Sequence, residues 1–355
     1  MNEPALLSIA CANPARKLSQ QRWIEIAKRI APASVAEGVT TRLAQRSGID
    51  TRWCAAADEQ DYPAFYAVDE QAGGPTTSAR MQLWAATARP LALQAGAQAL
   101  VEANLNASRI THVVTASCTG FESPGVDQWL IEGLSLSPSC RRTHIGFMGC
   151  HAAVNALAVA QAFARADPKA CVLVCCVEIC SVHLHYGDRL DRLIANTLFA
   201  DGVAAAVIAC DAPTSAPRLT RCESVLIPDS VGEMAWSIGD HGFEMTLGAA
   251  VPDLLRQHVG RWVREMLSKD HIEVQVVGGW AIHPGGPRVI DSVLASLDVP
   301  AHAGHESREI LREYGNMSSA TLLFILRQFW KRGVPRPWVG LAFGPGLAGE
   351  MLLIQ

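Results

Sequence analysis

Six short runs, Thr111–Ser117, Cys171–Cys176, Ala204–Cys210, Val274–Ile282, Trp338–Phe343 and Met351–Ile354, are apolar on both faces and rich in β-branched residues or cysteine. A strand with one face in water alternates polar and apolar residues, so runs of this kind need cover on both sides. Helical stretches lie between them. Leu91–Ala103 follows Pro90, and His151–Ala166 is almost wholly small or apolar and stops at Asp167–Pro168. Val251–Leu267 is amphipathic, Pro287–Leu297 opens on proline, and Ser318–Trp330 runs into basic residues and Gly333. Strands alternating with helices predict an α/β fold.

The 355 residues suffice for two domains' worth of core. Ala212–Pro217 is the best linker and divides the chain into 1–211 and 212–355. The two parts carry a faint echo. Gly149–Cys150 and Gly315–Asn316 each precede a run of small residues opening an apolar helix. Two similar halves facing one another would bring both helix starts to one central site. The stretch Glu59–Thr77, with Pro63, Gly73, Gly74 and Pro75, reads as a surface excursion.

A net charge of -4 argues against a general nucleic-acid surface. No run approaches the roughly 18 apolar residues of a spanning helix, so no stable membrane insertion is expected. Charged residues make up only 18%, in keeping with surface buried in an oligomer. The 11 cysteines are odd in number, form no framework, and follow no basic leader. Reduced thiols in the cytoplasm are the expectation.

Four motifs carry chemistry. Cys150, in Gly-Phe-Met-Gly-Cys-His-Ala-Ala, sits at a helix start, where unpaired N–H groups favour a thiolate. His283, in Trp-Ala-Ile-His-Pro-Gly-Gly-Pro, ends a strand-like run, where an imidazole can pair with a thiolate or donate to an oxyanion. Asn316, in Tyr-Gly-Asn-Met-Ser-Ser-Ala, is either a plain helix cap or an amide donor to a carbonyl gaining charge. Gly344, Gly346 and Gly349 have dinucleotide-motif spacing, but only six residues follow, so no βαβ unit can form. A glycine-rich turn at a site between terminal strands is the better reading.

In this order the motifs resemble the Cys-His-Asn triad of the thiolase superfamily and, more closely, the type III polyketide synthases of the chalcone-synthase-like kind. The likeness runs from about Leu6 to the C-terminus. It implies a thiolase-like αβαβα layered fold of two pseudo-symmetric halves, working as a homodimer. It implies that Cys150 takes an acyl group from an acyl-CoA and that His283 holds Cys150 as thiolate. His283 and Asn316 then donate to malonyl-CoA as it decarboxylates, and the enolate condenses with the acyl group. CoA thioesters are the substrates, with no cofactor and no metal.

By the same resemblance Phe199 and Phe243 match gatekeeper phenylalanines. Cys118, Thr119, His183 and Ala195 fall in the cavity wall, and Gly344, Pro345 and Gly346 line the site. Arg46, Arg52 and Arg288 are candidates for CoA at a tunnel mouth. His151 departs from the residue usual after the nucleophile. The local strings look like bacterial alkylpyrone- and alkylresorcinol-forming members, which take fatty acyl-CoA starters. The alternatives are a malonyl-only enzyme with a naphthalene-type product and a ketoacyl synthase of the fatty-acid initiation type.

Overall fold

The structure, a computed structural model, describes residues 3–30, 36–57, 64–66 and 73–355. Most of the stretch 59–77 therefore lies outside the described residues. Two sheets form the frame. The first runs in the order Ala5–Ala12, Asp201–Ala209, Cys171–Ile179, His112–Ser117, Arg141–Gly146. The second runs Leu219–Leu226, Ala348–Ile354, Trp338–Gly344, Gly279–Ile282. From its edge inward each sheet makes two antiparallel pairings and then a parallel one. The second sheet thus repeats the first four strands of the first.

Packing follows from strands that are apolar on both faces. All nine residues of Cys171–Ile179 and all nine of Asp201–Ala209 are buried. Helices Ala152–Ala166 and Ala320–Arg332 lie between the sheets, in one core with Val114, Val174, Ala206, Ala281 and Leu352. Helix Thr77–Glu102 covers the outer face of the first sheet, and helices Val251–Ser268 and Pro287–Ser296 cover that of the second. The layers therefore read αβαβα. Cys175 and Cys176 belong to cores on opposite faces of their strand, so these adjacent thiols do not converge on one point. All eleven cysteines are free.

Three element expectations need correction. The helix read as starting after Pro90 begins at Thr77, capped by the Thr76 side chain, and passes through Pro90. Pro90 and Ala86 are exposed, so the carbonyl that proline leaves without a donor is open to water. Within Val274–Ile282 only Gly279–Ile282 is strand, because Val274–Val276 forms a 3₁₀ turn. The edge strands Ala5–Ala12, Arg141–Gly146 and Leu219–Leu226, and the hairpin Met234–Gly239 with Gly242–Leu247, were absent from the strand runs read from the sequence. The hairpin and two of these strands are partly exposed, which a search for doubly buried runs passes over.

Candidate active site

The two central helices begin at the same place. Cys150 lies in a 3₁₀ turn, Gly149–His151, that leads into helix Ala152–Ala166. Gly149 has φ +78°, and a Cβ there would stand 2.2 Å from Pro345 Cδ. Only glycine lets the Cys150 turn close on the last strand connection. Asn316 follows Gly315, whose φ of +75° likewise suits glycine. Its backbone pairs with the segment 198–200, the Asn316 N–H donating to Leu198 O at 3.0 Å and its carbonyl accepting from Ala200 N at 2.8 Å. His283 extends strand Gly279–Ile282 by one residue, its N–H donating to Leu341 O at 2.7 Å.

Cys150, His283 and Asn316 line one chamber of about 460 Å³, part of it open to solvent, together with Leu198, Phe199, Met245, Leu247, Val289 and Phe343. Among the described residues neither ring nitrogen of His283 has a hydrogen-bond partner. A buried imidazole without partners on either side is set to meet a bound molecule. Asn316 Oδ1 accepts from Ser318 N at 2.9 Å, which leaves the Nδ2 donor for the chamber. The cap reading and the donor reading of Asn316 are therefore compatible.

Burial governs the charges. The Cys150 thiol is pushed up to about 12, chiefly by desolvation, against hydrogen bonds from Ser318 and Asn316. His283 is pushed down to about 3 by burial and then by His151. The expectation of a thiolate from the helix start thus meets a stronger opposing effect, and burial favours a neutral thiol and a neutral imidazole. Forming the charged pair together would offset both shifts.

A second chamber of about 640 Å³ meets the first at Cys150, Ala195, Phe199, Met234 and Met245. Cys118, Thr119, His183 and Pro345 are in its wall. Cys118 Sγ accepts from Gly149 N at 2.9 Å and donates to Gly149 O at 3.3 Å, so it also braces the turn that carries Cys150. His183 Nε2 donates to Thr119 O at 2.6 Å, while its Nδ1 accepts from Phe243 N at 3.0 Å, which holds the ring neutral in one tautomer.

Four expectations shift. Phe243 lies in the wall of the larger chamber only, stacked on His183; Met245, two residues on along the same strand face, sits where the chambers meet. Phe199 does occupy that junction. Arg52 is fully buried under Trp23 and donates to Phe199 O, Thr197 O and Gln20 Oε1, so it is a structural clamp and not a tunnel-mouth cation. Arg46 and Arg288 are exposed, on either side of the contact between Gly48 and Pro287. Gly344 packs against His151 and Gly346 faces open space, so of the three only Pro345 reaches a chamber. His151 faces away from both, its Nδ1 2.7 Å from Asn155 Oδ1.

Sequence reading missed Glu178. This fully buried carboxylate accepts from Cys118 N at 3.1 Å, from Thr119 Oγ1 at 2.9 Å and from the Ser319 hydroxyl. Burial pushes it up to about 7 in spite of those bonds. It ended an apolar run, and a lone Glu there carries no local signal. Ser318, Trp236, Met234 and Met245 were also missed. Among them only Met245 had a signal, the two-residue spacing from Phe243.

Residues 2–212 match the family profile described as chalcone and stilbene synthases, N-terminal domain, and residues 218–355 match the C-terminal domain. An alpha-pyrone synthesis polyketide synthase-like protein, Pks18, of Mycobacterium tuberculosis is 32% identical, over 98% of this chain and 90% of the relative. A 3,5-dihydroxyphenylacetyl-CoA synthase of Amycolatopsis balhimycina is 33% identical over 75% of this chain and 74% of its own. Among solved structures, PKS-I from the brown alga Ectocarpus siliculosus superposes with a TM-score of 0.94 at 29% identity, covering 100% of this chain and 98% of that one. The 1,3,6,8-tetrahydroxynaphthalene synthase of Streptomyces coelicolor A3(2) gives 0.88 at 28% identity, covering 99% and 98%.

Proposed function

The chain belongs to the chalcone and stilbene synthase family, the type III polyketide synthases, and from that premise we propose that Cys150, His283 and Asn316 carry the condensation. Cys150 Sγ attacks the thioester carbonyl of an acyl-CoA, His283 takes the thiol proton, and CoA leaves as its thiol with a proton returned by His283. Malonyl-CoA then binds with its thioester oxygen facing His283 and the Asn316 amide. Breaking the C–C bond to the carboxylate releases CO2 and leaves an enolate, whose oxygen the two donors stabilise. The enolate carbon attacks the acyl-Cys150 carbonyl, forming the new C–C bond and freeing the sulfur.

One observation carries this reading: the three side chains share one mostly apolar chamber in which the ring nitrogens of His283 have no partner among the described residues. Arg46 and Arg288 are proposed to meet the CoA phosphates. Arg288 is exposed between Gly285 and Val289, which both line the chamber. The starter is an aliphatic acyl-CoA, in keeping with Leu184, Met234 and Phe243 in the larger chamber, and the product a pyrone or a resorcinol. The named activities of the Mycobacterium and Amycolatopsis relatives support that product class. The exposed apolar side chains of Phe121 and Met148 support a homodimer, to be tested by sedimentation. Reduced thiols support the cytoplasm.

The test is a panel of acyl-CoA starters with labelled malonyl-CoA, read by mass spectrometry. Starter-derived triketides or tetraketides are expected. Products built from malonyl-CoA alone would overturn the starter assignment. Absence of both CO2 release and acylation at Cys150 would overturn the mechanism.

A further inference from the structure

The larger chamber is mostly apolar, yet Arg192 is in its wall. It is the only permanently charged side chain among the described residues lining that chamber. Arg192, Ala195, Asn196 and Phe199 follow helical spacing along Leu190–Leu198 and its cap, so they form one stripe down the chamber. Seven residues at about 1.5 Å each put the Arg192 backbone about 10 Å from that of Phe199, which lines both chambers with Cys150. Arg192 is therefore the residue of this stripe whose backbone lies farthest from Phe199.

Its partners leave capacity. Nη2 donates to Glu244 Oε2 at 2.7 Å and Nη1 donates to Tyr186 O at a long 3.4 Å, out of five N–H groups. Arg189 lies 3.8 Å from the same Glu244 oxygen, so the carboxylate keeps a cation when Arg192 is drawn toward a ligand. Beside it His185 Nε2 donates to Phe243 O at 2.7 Å. That bond fixes Nδ1 as an acceptor with no partner among the described residues. An all-alkyl chain reaching this end would cover the unpaired N–H groups of the guanidinium, Nε among them, without satisfying them, which is costly. A terminal carboxylate would form charge-assisted bonds there.

We propose that this end of the chamber is a subsite for a carboxylate at the distal end of the starter acyl chain, received by Arg192. The inference rests on the polyketide synthase reading and narrows its substrate class to an aliphatic acyl-CoA with an acid terminus. Three chain bonds span at most about 3.6 Å, so about 10 Å takes eight or nine bonds. A starter of roughly eight carbons fits.

The experiment compares kcat/KM for octanoyl-CoA, 8-hydroxyoctanoyl-CoA and the CoA monothioester of octanedioic acid, in the wild type and in Arg192→Met and Glu244→Gln. The diacid thioester is expected to exceed octanoyl-CoA at least tenfold. Arg192→Met should cut that ratio at least tenfold, and Glu244→Gln, which removes the competing carboxylate, should raise it. General damage to the fold would not move the two ratios in opposite directions. A wild type that prefers octanoyl-CoA, a hydroxy starter used as well as the diacid, or a ratio unmoved by both substitutions would overturn the proposal while leaving the synthase reading intact. No turnover of any of the three starters would overturn this subsite, and only the further absence of CO2 release from malonyl-CoA would refute the synthase reading with it.

Discussion

Phe243 and His183 stack with ring centroids 4.3 Å apart and planes 19° apart, and the Phe243 N–H donates to His183 Nδ1 at 3.0 Å. The histidine thus fixes both the ring and the backbone of one chamber wall. His183→Ala should cost about 2–4 kcal/mol, because the Thr119 carbonyl and the Phe243 amide lose their partner and a cavity opens. Urea unfolding measures that loss. Mass spectrometry should show longer products, and an unchanged product length would detach this stack from chain-length control.

Cys150→Ala should abolish chain extension. Asn316→Ala and His283→Gln should each slow malonyl-CoA decarboxylation by about 10²–10³, the usual cost of one oxyanion donor. Release of labelled CO2 separates this step from loading. Normal release from both variants would remove them from enolate stabilisation.

Glu178 gives a pH signature. Its carboxyl is pushed up to about 7 from an ordinary 4.5, so between these values the folded chain holds a proton that the unfolded chain has lost. The stability this contributes is complete below about pH 4.5 and is lost as pH rises through about 7. The gap is worth roughly 3 kcal/mol. Glu178→Gln cannot ionise, so it should gain on the wild type by about that much from pH 5 to pH 8. Parallel stability curves would show that Glu178 is not the group responsible.

Gly149→Ala should be far worse than Gly346→Ala. Both positions have positive φ, at +78° and +74°, and carry the same strain of about 1 kcal/mol. Only the first would also drive a methyl into Pro345, whereas the second meets open space. Gly149→Ala should lose both stability and kcat. Equal effects at the two sites would mean that the Pro345 contact does not position Cys150.

Arg52→Met should unfold the chain at lower urea by about 2–4 kcal/mol, since the carbonyls of Thr197 and Phe199 lose their donor. Arg46→Ala and Arg288→Ala should instead raise KM for CoA thioesters with little change in stability. The two sets of constants distinguish a clamp from a binding cation.

What the sequence made legible was local. The strings around Cys150, His283 and Asn316 each mark a strand or helix end with glycine, and the doubly apolar runs fixed a covered sheet. Phe243 was named by resemblance alone, and only the hairpin's placement shows that Met245, two residues on, shares its face and sits where the chambers meet. Arg52 reads as a surface cation until Trp23 and the 197–199 carbonyls close around it. Glu178 reads as the end of a run until three donors from distant segments converge on it. Such environments are built by residues far apart in the chain, so no window of sequence contains them.

The contact between Gly149 and Pro345 joins residue types from opposite halves of the chain. The linker at 212–217 is the natural crossover point for recombining this enzyme with a relative, because each sheet is complete on its own side of it. A chimera made there inherits Cys150 from one parent and the surface that shapes its turn from the other. Compatibility between parents is therefore decided at this pair more than at the linker, and a library that carries positions 149 and 345 together should retain the larger share of working enzymes.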